Sequence, residues 1–380
     1  MSENQRPDRA QLDVLIDRFL DETVGKQPGR QRRLVRRLVR TAVKAGREDT
    51  PTLNLKIMDR ALHELRKGFK TFQPYEGRRK IAVFGSARSP EDSRSYQMAV
   101  DTGKKLVEAG FMVVTGAGPG IMEASNRGAG RENSFGVNIV LPFEAEANPY
   151  IQDDPKLVDF NYFFTRKVVF VKETDGIILF PGGFGTQDEF FESLTLVQTG
   201  KSTPSPIVMV EPPGSTYWQQ WHEYVRKSLL GRRLISPGDL NLYRLCTSVD
   251  EAVEEVTRFY RNYYSIRYIG TDLVIRVRHP ITDALLADLN TDFEDLIASG
   301  RIALAEEDPL ERVEELPQGL HRLRFHFRNR AFGRLRVLID RLNDAVPADL
   351  VDTAWRLPAV HEIVPTPVHG DGDDEDEDDR

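Results

Sequence analysis

Apolar residues recur along this 380-residue chain with two different periods, and the change from one to the other divides it. QLDVLIDRFL (11–20) and LNLKIMDRALHELRKGF (53–69) carry apolar residues at i, i+3, i+4 spacing, which predicts amphipathic helices. Between them, RQRRLVRRLVRTAVKAGR (30–47) contains no acidic residue. It puts Leu34, Val35, Leu38, Val39, Ala42 and Val43 on one face and Arg32, Arg33, Arg36, Arg37 and Arg40 on the other. QPYEGRRK (73–80) reads as a linker, so an N-terminal helical region is expected over 1–77.

Residues 78–264 follow a second rhythm. KIAVFGSA, FMVVTG, FGVNIVLP, GIILFP and PIVMVE read as short buried strands. Helical patterns separate or follow them: EDSRSYQMAVDTGKKLVEAG closing on Gly110, PGIMEASNRGAG, FFTRKVVFVKET, TQDEFFESLTLVQTG, TYWQQWHEYVRKSLL and DEAVEEVTRFYRNYY. Strands of continuous apolar character alternating with helices predict right-handed βαβ units. The expected fold class is therefore α/β, a doubly wound parallel sheet of Rossmann type with helices on both faces.

The rest of the chain changes character again. DLVIRVRHP and LHRLRFHFRNR alternate apolar with basic residues, as half-exposed antiparallel strands do, while TDALLADLNTDFEDLIASG and RLRVLIDRLNDAV read as helical. A small α+β appendage is expected over 265–362, followed by a disordered acidic tail over 363–380 containing DGDDEDEDD.

Composition narrows the classes. With 40% apolar and 29% charged residues, the chain can build a sizeable core, and wholesale disorder is not expected. A single cysteine, Cys246, excludes an intramolecular disulfide and any metal site built on several thiolates. MSENQRPDRA has no apolar signal core, and no run of 18 apolar residues occurs. A cytoplasmic protein without membrane association is expected. Part of the net charge of −7 lies in the tail, so it says little about the folded body.

The candidate chemistry lies in three glycine-bearing turns, each following a strand: GSA (85–87), TGAGPG (115–120) and PGGFGT (181–186). Ligands of open parallel sheets sit beyond the carboxyl ends of the strands, where all three turns are expected. Glycines let a backbone approach an anion closely, and amides at a helix N-terminus bind phosphate. Gly182, Gly183, Gly185 and Thr186 are thus candidates for a phosphate cradle, although tight strand-to-helix turns alone also use glycine. Gly116-x-Gly118-x-Gly120 is not G-x-G-x-x-G, and no acidic residue ends the second strand to hold a ribose diol, which disfavours a dinucleotide site. GKST (200–203) fails as a Walker loop because Thr195 stands where glycine is required.

Glu189 and Asp188 follow the third turn. A carboxylate one turn inside a helix whose N-terminus binds phosphate is suited to a sugar phosphate. The phosphate anchors one end, and Glu189 faces the sugar. Cleaving an N-glycosidic bond builds positive charge on the ring, which a fixed carboxylate stabilises while accepting a proton from the attacking water. Asp188 is expected only to complement the helix dipole.

PGGFGTQDE resembles the PGGxGTxxE signature of the LOG-like phosphoribohydrolases, also labelled "lysine decarboxylase-like". Arg166-Lys167 in FFTRK is similar to that family's RK pair, and GSAR (85–88) and TGAGPGIMEASNRGA (115–129) resemble its first two glycine loops. The resemblance covers about 78–264, roughly half the chain. It implies hydrolysis of nucleoside 5′-monophosphates to free base and ribose 5-phosphate; no cofactor is expected, and no metal, since the scattered histidines and one cysteine form no ligand cluster such as H-x-x-x-H. It also implies a homodimer with clefts near the interface. By the same resemblance Glu189 and Arg166 are the catalytic pair. Gly183, Gly185 and Thr186 bind phosphate, and the turn itself adds Gly182 to the expected binding residues. Gly85, Ser86, Gly116, Gly118, Gly120 and Lys167 line the substrate cleft. Glu123 in GIMEA is a possible second carboxylate or a first-turn helix acid. GAGPGIMEA differs from the GGGSVGLMG of short cytokinin-activating members and resembles longer bacterial proteins. The expected substrate is therefore AMP or another common nucleotide, the alternative being a cytokinin riboside 5′-monophosphate. Decarboxylation would need a Schiff-base lysine, and neither Lys167 nor Lys201 has a recognisable cofactor setting. A non-catalytic nucleotide sensor is the alternative of another class. Nucleic-acid binding through helix 30–47 is disfavoured, because regular basic spacing with an apolar face more often packs on a body or a partner.

Overall fold

The computed structural model describes residues 7–25, 29–141, 146–311, 316–328 and 330–346; the acidic tail lies outside them. The chain divides into two compact units, Met1–Glu64 and Leu65–Arg380.

In the first unit, α1 (Arg9–Thr23) and α2 (Gly29–Arg47) form a helical hairpin, and α3 (Thr52–Phe72) begins. Asp8 opens α1 in a reciprocal capping box with Gln11. Leu12, Ile16 and Leu20 of α1 pack with Val35, Val39 and Val43 of α2, one apolar seam at helical spacing. Beside the seam, Asp13 accepts from Arg40, Asp17 from Arg32 and Arg36, and Asp21 pairs with Arg32. The basic stripe thus spends three arginines on the neighbouring helix.

The second unit opens with the parallel sheet. Its elements are β1 (Lys80–Phe84), α4 (Arg94–Glu108), β2 (Met112–Thr115), α5 (Ile121–Ala129), β3 (Ser134–Ile139), β4 (Leu157–Phe160), α6 (Phe163–Glu173), β5 (Gly176–Leu179), α7 (Phe184–Gln198), β6 (Ile207–Val210), α8 (Tyr217–Tyr224), β7 (Arg244–Cys246) and α9 (Val249–Phe259). The strand order is β4-β3-β2-β1-β5-β6-β7, and every pairing is parallel. This is the expected doubly wound α/β sheet. The central strands β1, β2, β5 and β6 are buried throughout, because helices cover both faces.

An antiparallel sheet follows, ordered β10-β11-β9-β8, from β8 (Tyr263–Ile269), β9 (Asp272–Val277), β10 (Ile297–Ala305) and β11 (His321–Phe327), with α10 (Asp283–Asp292) and α11 (Phe332–Asp344). Leu323, Phe325 and Phe327 of β11 join one core with Phe332, Leu335 and Leu338 of α11. Arg322 and the opposed Arg276 instead share the wholly buried Glu311 carboxylate. An α9–α11 network of Glu255, Arg258, Arg336 and Asp344 ties this part to the parallel sheet.

Five local expectations need correction. β4 and β7 both fall in stretches where the apolar pattern predicts no strand. Both are edge strands, half exposed and short, so they lack the apolar run that marked the others. The helix expected over 250–264 ends at Phe259, and Tyr263 already begins β8, whose hydrogen bonds to β9 claim its backbone. The helical pattern 282–300 ends at Asp292, and β10 starts at Ile297, where pairing with β11 overrides local propensity. After α8 the chain continues as a π-helical turn, Val225–Leu230, rather than as more α-helix.

Candidate functional site

The strand order reverses between β1 and β5, and the three glycine turns meet beyond that point. Ser86, after β1, donates its N–H to Pro181 O, after β5, at 3.1 Å, and accepts from Ile121 N, after β2, at 3.1 Å. The backbone after β1 is therefore stapled to both other turns. Gly120 has φ +67°, and a Cβ there would strike the Ser86 and Ala87 backbone, so only glycine lets these turns close. Gly85 backs onto Ile121, and Gly182 lies against Gly85 and the Thr186 hydroxyl.

The second turn is held by side chains that sequence reading missed. Ala117 is left-handed, with φ 63°, and its N–H donates to Thr115 Oγ1 at 3.0 Å. Buried Asn148 reaches Ala117 O, Gly118 O and Asn126 Oδ1 at 3.1, 3.1 and 3.0 Å. Thr115 also donates to Asn126 Oδ1. The one sequence signal was an asparagine among the apolar positions of α5, which alone does not mark a site.

The third turn runs into α7. Gly183 is its N-cap, no side chain caps it, and Gly183 and Gly185 are open to their surroundings. The first amides of α7 thus form an uncapped N-terminus, with the positive end of the helix dipole. Thr186 is buried in the first turn.

Glu189 lies one turn further on, with its side chain only 9% exposed. Burial raises its pKa above the ordinary carboxylate range, and the charges of Arg166 and Lys167 oppose that rise. Its side chain makes no hydrogen bond among the described residues. Lys167 Nζ stands 3.6 Å from Glu189 Oε2, but 2.9 Å from Asp188 and 2.8 Å from Glu192. Burial alone would lower the Lys167 pKa, but hydrogen bonds to Glu192 and Asp188 raise it overall. Asp188 is thus an ion-pair partner beyond the first turn of α7, rather than the dipole complement expected of it.

Arg166, on α6, is also buried. Its Nε donates to Val137 O of β3 at 2.9 Å, which fixes the guanidinium plane. Its Nη2 lies 2.6 Å from where a Cβ on Gly116 would sit, so the head group abuts the second turn. Among the described residues the two Nη groups meet no protein acceptor. Burial lowers its pKa, opposed by Glu189 and Asp188. Gly118 faces Met122 in the same turn. Glu123 is a first-turn acid of α5 and accepts from Tyr96 Oη at 3.4 Å. At the same edge of the sheet, Phe163 and Phe164 are half exposed and Phe184 is 96% exposed.

This is an α/β fold with an anion-ready turn, a buried carboxylate and two cations at its switch point. Residues 122–256 match the family model described as "Possible lysine decarboxylase". The chain is 28% identical over 138 residues to a cytokinin riboside 5′-monophosphate phosphoribohydrolase of Mycobacterium tuberculosis, covering 35% of this chain and 71% of the relative. It is 34% identical over 126 residues to a probable enzyme of that name from Oryza sativa subsp. japonica, covering 32% and 49%. It is 28% identical over 149 residues to a pyrimidine/purine nucleotide 5′-monophosphate nucleosidase of Escherichia coli, covering 36% and 33%. A Moco carrier protein from Chlamydomonas reinhardtii has a TM-score of 0.34 at 17% identity over 48% of this chain and 96% of that one, too low to bear on site or function. The family match and the sequence relatives support the resemblance that PGGFGTQDE carries: over this region the chain is LOG-like. Among the described residues no helix is long and apolar enough to cross a membrane.

Proposed function

We propose that this chain hydrolyses the N-glycosidic bond of nucleoside 5′-monophosphates, AMP foremost, to free base and ribose 5-phosphate. The observation that carries the reading is the Glu189 carboxylate. It is buried, one turn below the uncapped amides of α7, and among the described residues its oxygens make no hydrogen bond, with Lys167 standing off at 3.6 Å. A purely structural carboxylate would have its oxygens engaged, since leaving them bare in a buried site costs stability.

The 5′-phosphate is assigned to the amides of Gly183, Gly185 and Thr186, and Glu189 to the sugar. Water attacks C1′ while the bond from C1′ to the base nitrogen breaks. Glu189 takes the proton from the water and balances the positive charge on the ring. The base leaves and acquires a proton. Arg166 holds its Nη donors toward the substrate in a plane set by Val137 O. Lys167 holds Asp188 and Glu192 and keeps positive charge beside Glu189 without consuming its oxygens. Phe163, Phe164 and Phe184 offer apolar surface to a flat base.

The decarboxylase description of the matching family model does not fit this site. A Schiff-base lysine must be deprotonated to attack, whereas Lys167 is held protonated among three carboxylates.

The test is incubation of the purified protein with AMP, GMP, CMP, UMP and a prenylated AMP, followed by chromatographic resolution of free bases. Release of adenine from AMP is expected. Binding of AMP with no base released from any of the five would replace the enzyme by a nucleotide sensor.

A further inference from the structure

We propose that Tyr217, outside every glycine turn and 35 residues beyond Gly182, is a positioning residue that aims the phosphate cradle. The inference rests on the phosphate reading of PGGFGT given above.

The Tyr217 hydroxyl donates to Gly182 O and accepts from Gln187 Nε2 at 2.7 Å. The Gly182–Gly183 peptide is trans, so its C=O and N–H point in opposite directions. Fixing Gly182 O on Tyr217 therefore turns the Gly183 N–H away from Tyr217. The next carbonyl, Gly183 O, is taken by Gln187 N at 3.1 Å as the first helical bond of α7. Both carbonyls of the double glycine are thus withdrawn onto protein donors. An anion arriving at the turn meets N–H groups and no carbonyl oxygen.

A Gly-Gly pair needs such a fixture, because its peptide can turn over at little steric cost. In the other orientation Gly182 O would face the phosphate and repel it. A water could satisfy the same carbonyl, but it would not select the orientation.

Tyr217 is itself firmly placed. Glu211, buried at the end of β6, accepts from Ser215 Oγ at 2.6 Å and from Trp218 N at 3.0 Å, which fixes the first turn of α8. Trp218 is wholly buried, and its ring meets Tyr217 edge-on at 4.7 Å. The end of β6 thus sets α8, α8 sets the hydroxyl, and the hydroxyl sets the turn after β5.

The test compares wild type with Tyr217→Phe, which keeps the ring and removes only the hydroxyl. Ribose 5-phosphate affinity by calorimetry should weaken roughly 3–10-fold, the range expected for one hydrogen bond that orients others. In AMP cleavage KM should rise by a similar factor while kcat changes less than twofold, and the preference for AMP over adenosine should shrink. A merely structural hydroxyl would lower the melting temperature without changing that preference. Gln187→Leu, which removes the second partner of the same hydroxyl, should give a smaller shift in the same direction. It also serves as the probe if Tyr217→Phe does not fold. Unchanged ribose 5-phosphate affinity and AMP preference in the folded variant would overturn the positioning role and leave the cradle standing. Failure of wild type to bind ribose 5-phosphate would overturn the cradle and this inference together.

Discussion

Lys167 Nζ approaches Glu189 Oε2 to 3.6 Å and no closer, while it makes true hydrogen-bonding contacts with Asp188 and Glu192. The difference matters chemically. At that separation the cation lowers the cost of a buried negative charge without occupying the lone pairs that would receive a proton. Asp188 and Glu192 hold the ammonium in place, so that Glu189 feels its charge and keeps its oxygens for substrate.

Glu189→Gln should abolish AMP cleavage and leave AMP binding largely intact. Gln preserves shape but removes both the negative charge and the basicity. General-base loss costs about 10²–10⁴ in rate, and lost charge stabilisation adds to it. Single-turnover cleavage beside calorimetric AMP affinity checks this. A near wild-type rate would reject the catalytic role, and lost binding would make Glu189 a binding residue. Asp188→Asn should be milder, because it removes only one of three carboxylates near Lys167.

The same residue predicts two pH effects. Its folded pKa is raised, so the acidic limb of kcat/KM should lie above the usual carboxylate range near 4.3. Stability has the matching sign. With the folded pKa above the unfolded one, the native state binds the proton more tightly. The stabilising contribution is therefore complete below the unfolded pKa and is lost as pH rises through the folded pKa. At neutral pH the ionised buried carboxylate is a net cost, and Glu189→Gln should melt higher than wild type. That gain should vanish on acidification, as thermal melts at pH 7 and pH 4 would reveal. A lower melting temperature at pH 7 would contradict the raised pKa.

Arg166→Lys should fail to substitute. Lysine cannot donate to Val137 O and offer two further donors in one plane. Charge-assisted hydrogen bonds are worth about 1.5–3 kcal/mol each, so kcat/KM for AMP should fall by at least about tenfold. A variant within twofold of wild type would reduce Arg166 to a packing residue against Phe170.

The phosphate should be required. Remote binding energy at the PGGFGT turn orients the sugar over Glu189, so AMP should be cleaved far faster than adenosine. Equal kcat/KM for AMP and adenosine would remove the cradle from the mechanism.

Turnover should survive exhaustive chelation. Among the described residues no group of three or more His, Cys, Asp or Glu could hold a metal ion, and the proposed chemistry uses a carboxylate and a water. Loss of activity in EDTA, with recovery on adding zinc or magnesium, would overturn it.

The local features of this site were legible along the chain. Buried strands such as KIAVF and GIIL announce a sheet covered on both faces, because only that setting tolerates an unbroken apolar run. Glycines after β1, β2 and β5 announce close backbone approach, and Glu189 announces itself by its place in PGGFGTQDE. The edge strands β4 and β7 gave no such signal, since exposure on one side lets polar residues in. The start of β10, residues 297–300, looked helical because pairing with β11 is a long-range term absent from any local window. Tertiary structure alone decided the rest. It placed Gly120 against Ser86, Arg166 against Gly116, Asn148 under Ala117 and Tyr217 on Gly182. It also spent the arginines of α2 on the aspartates of α1. A sequence window shows which side chain can make a hydrogen bond. Only the folded chain brings the partner within 3 Å, and that distance separates a catalytic or positioning group from an ordinary polar residue.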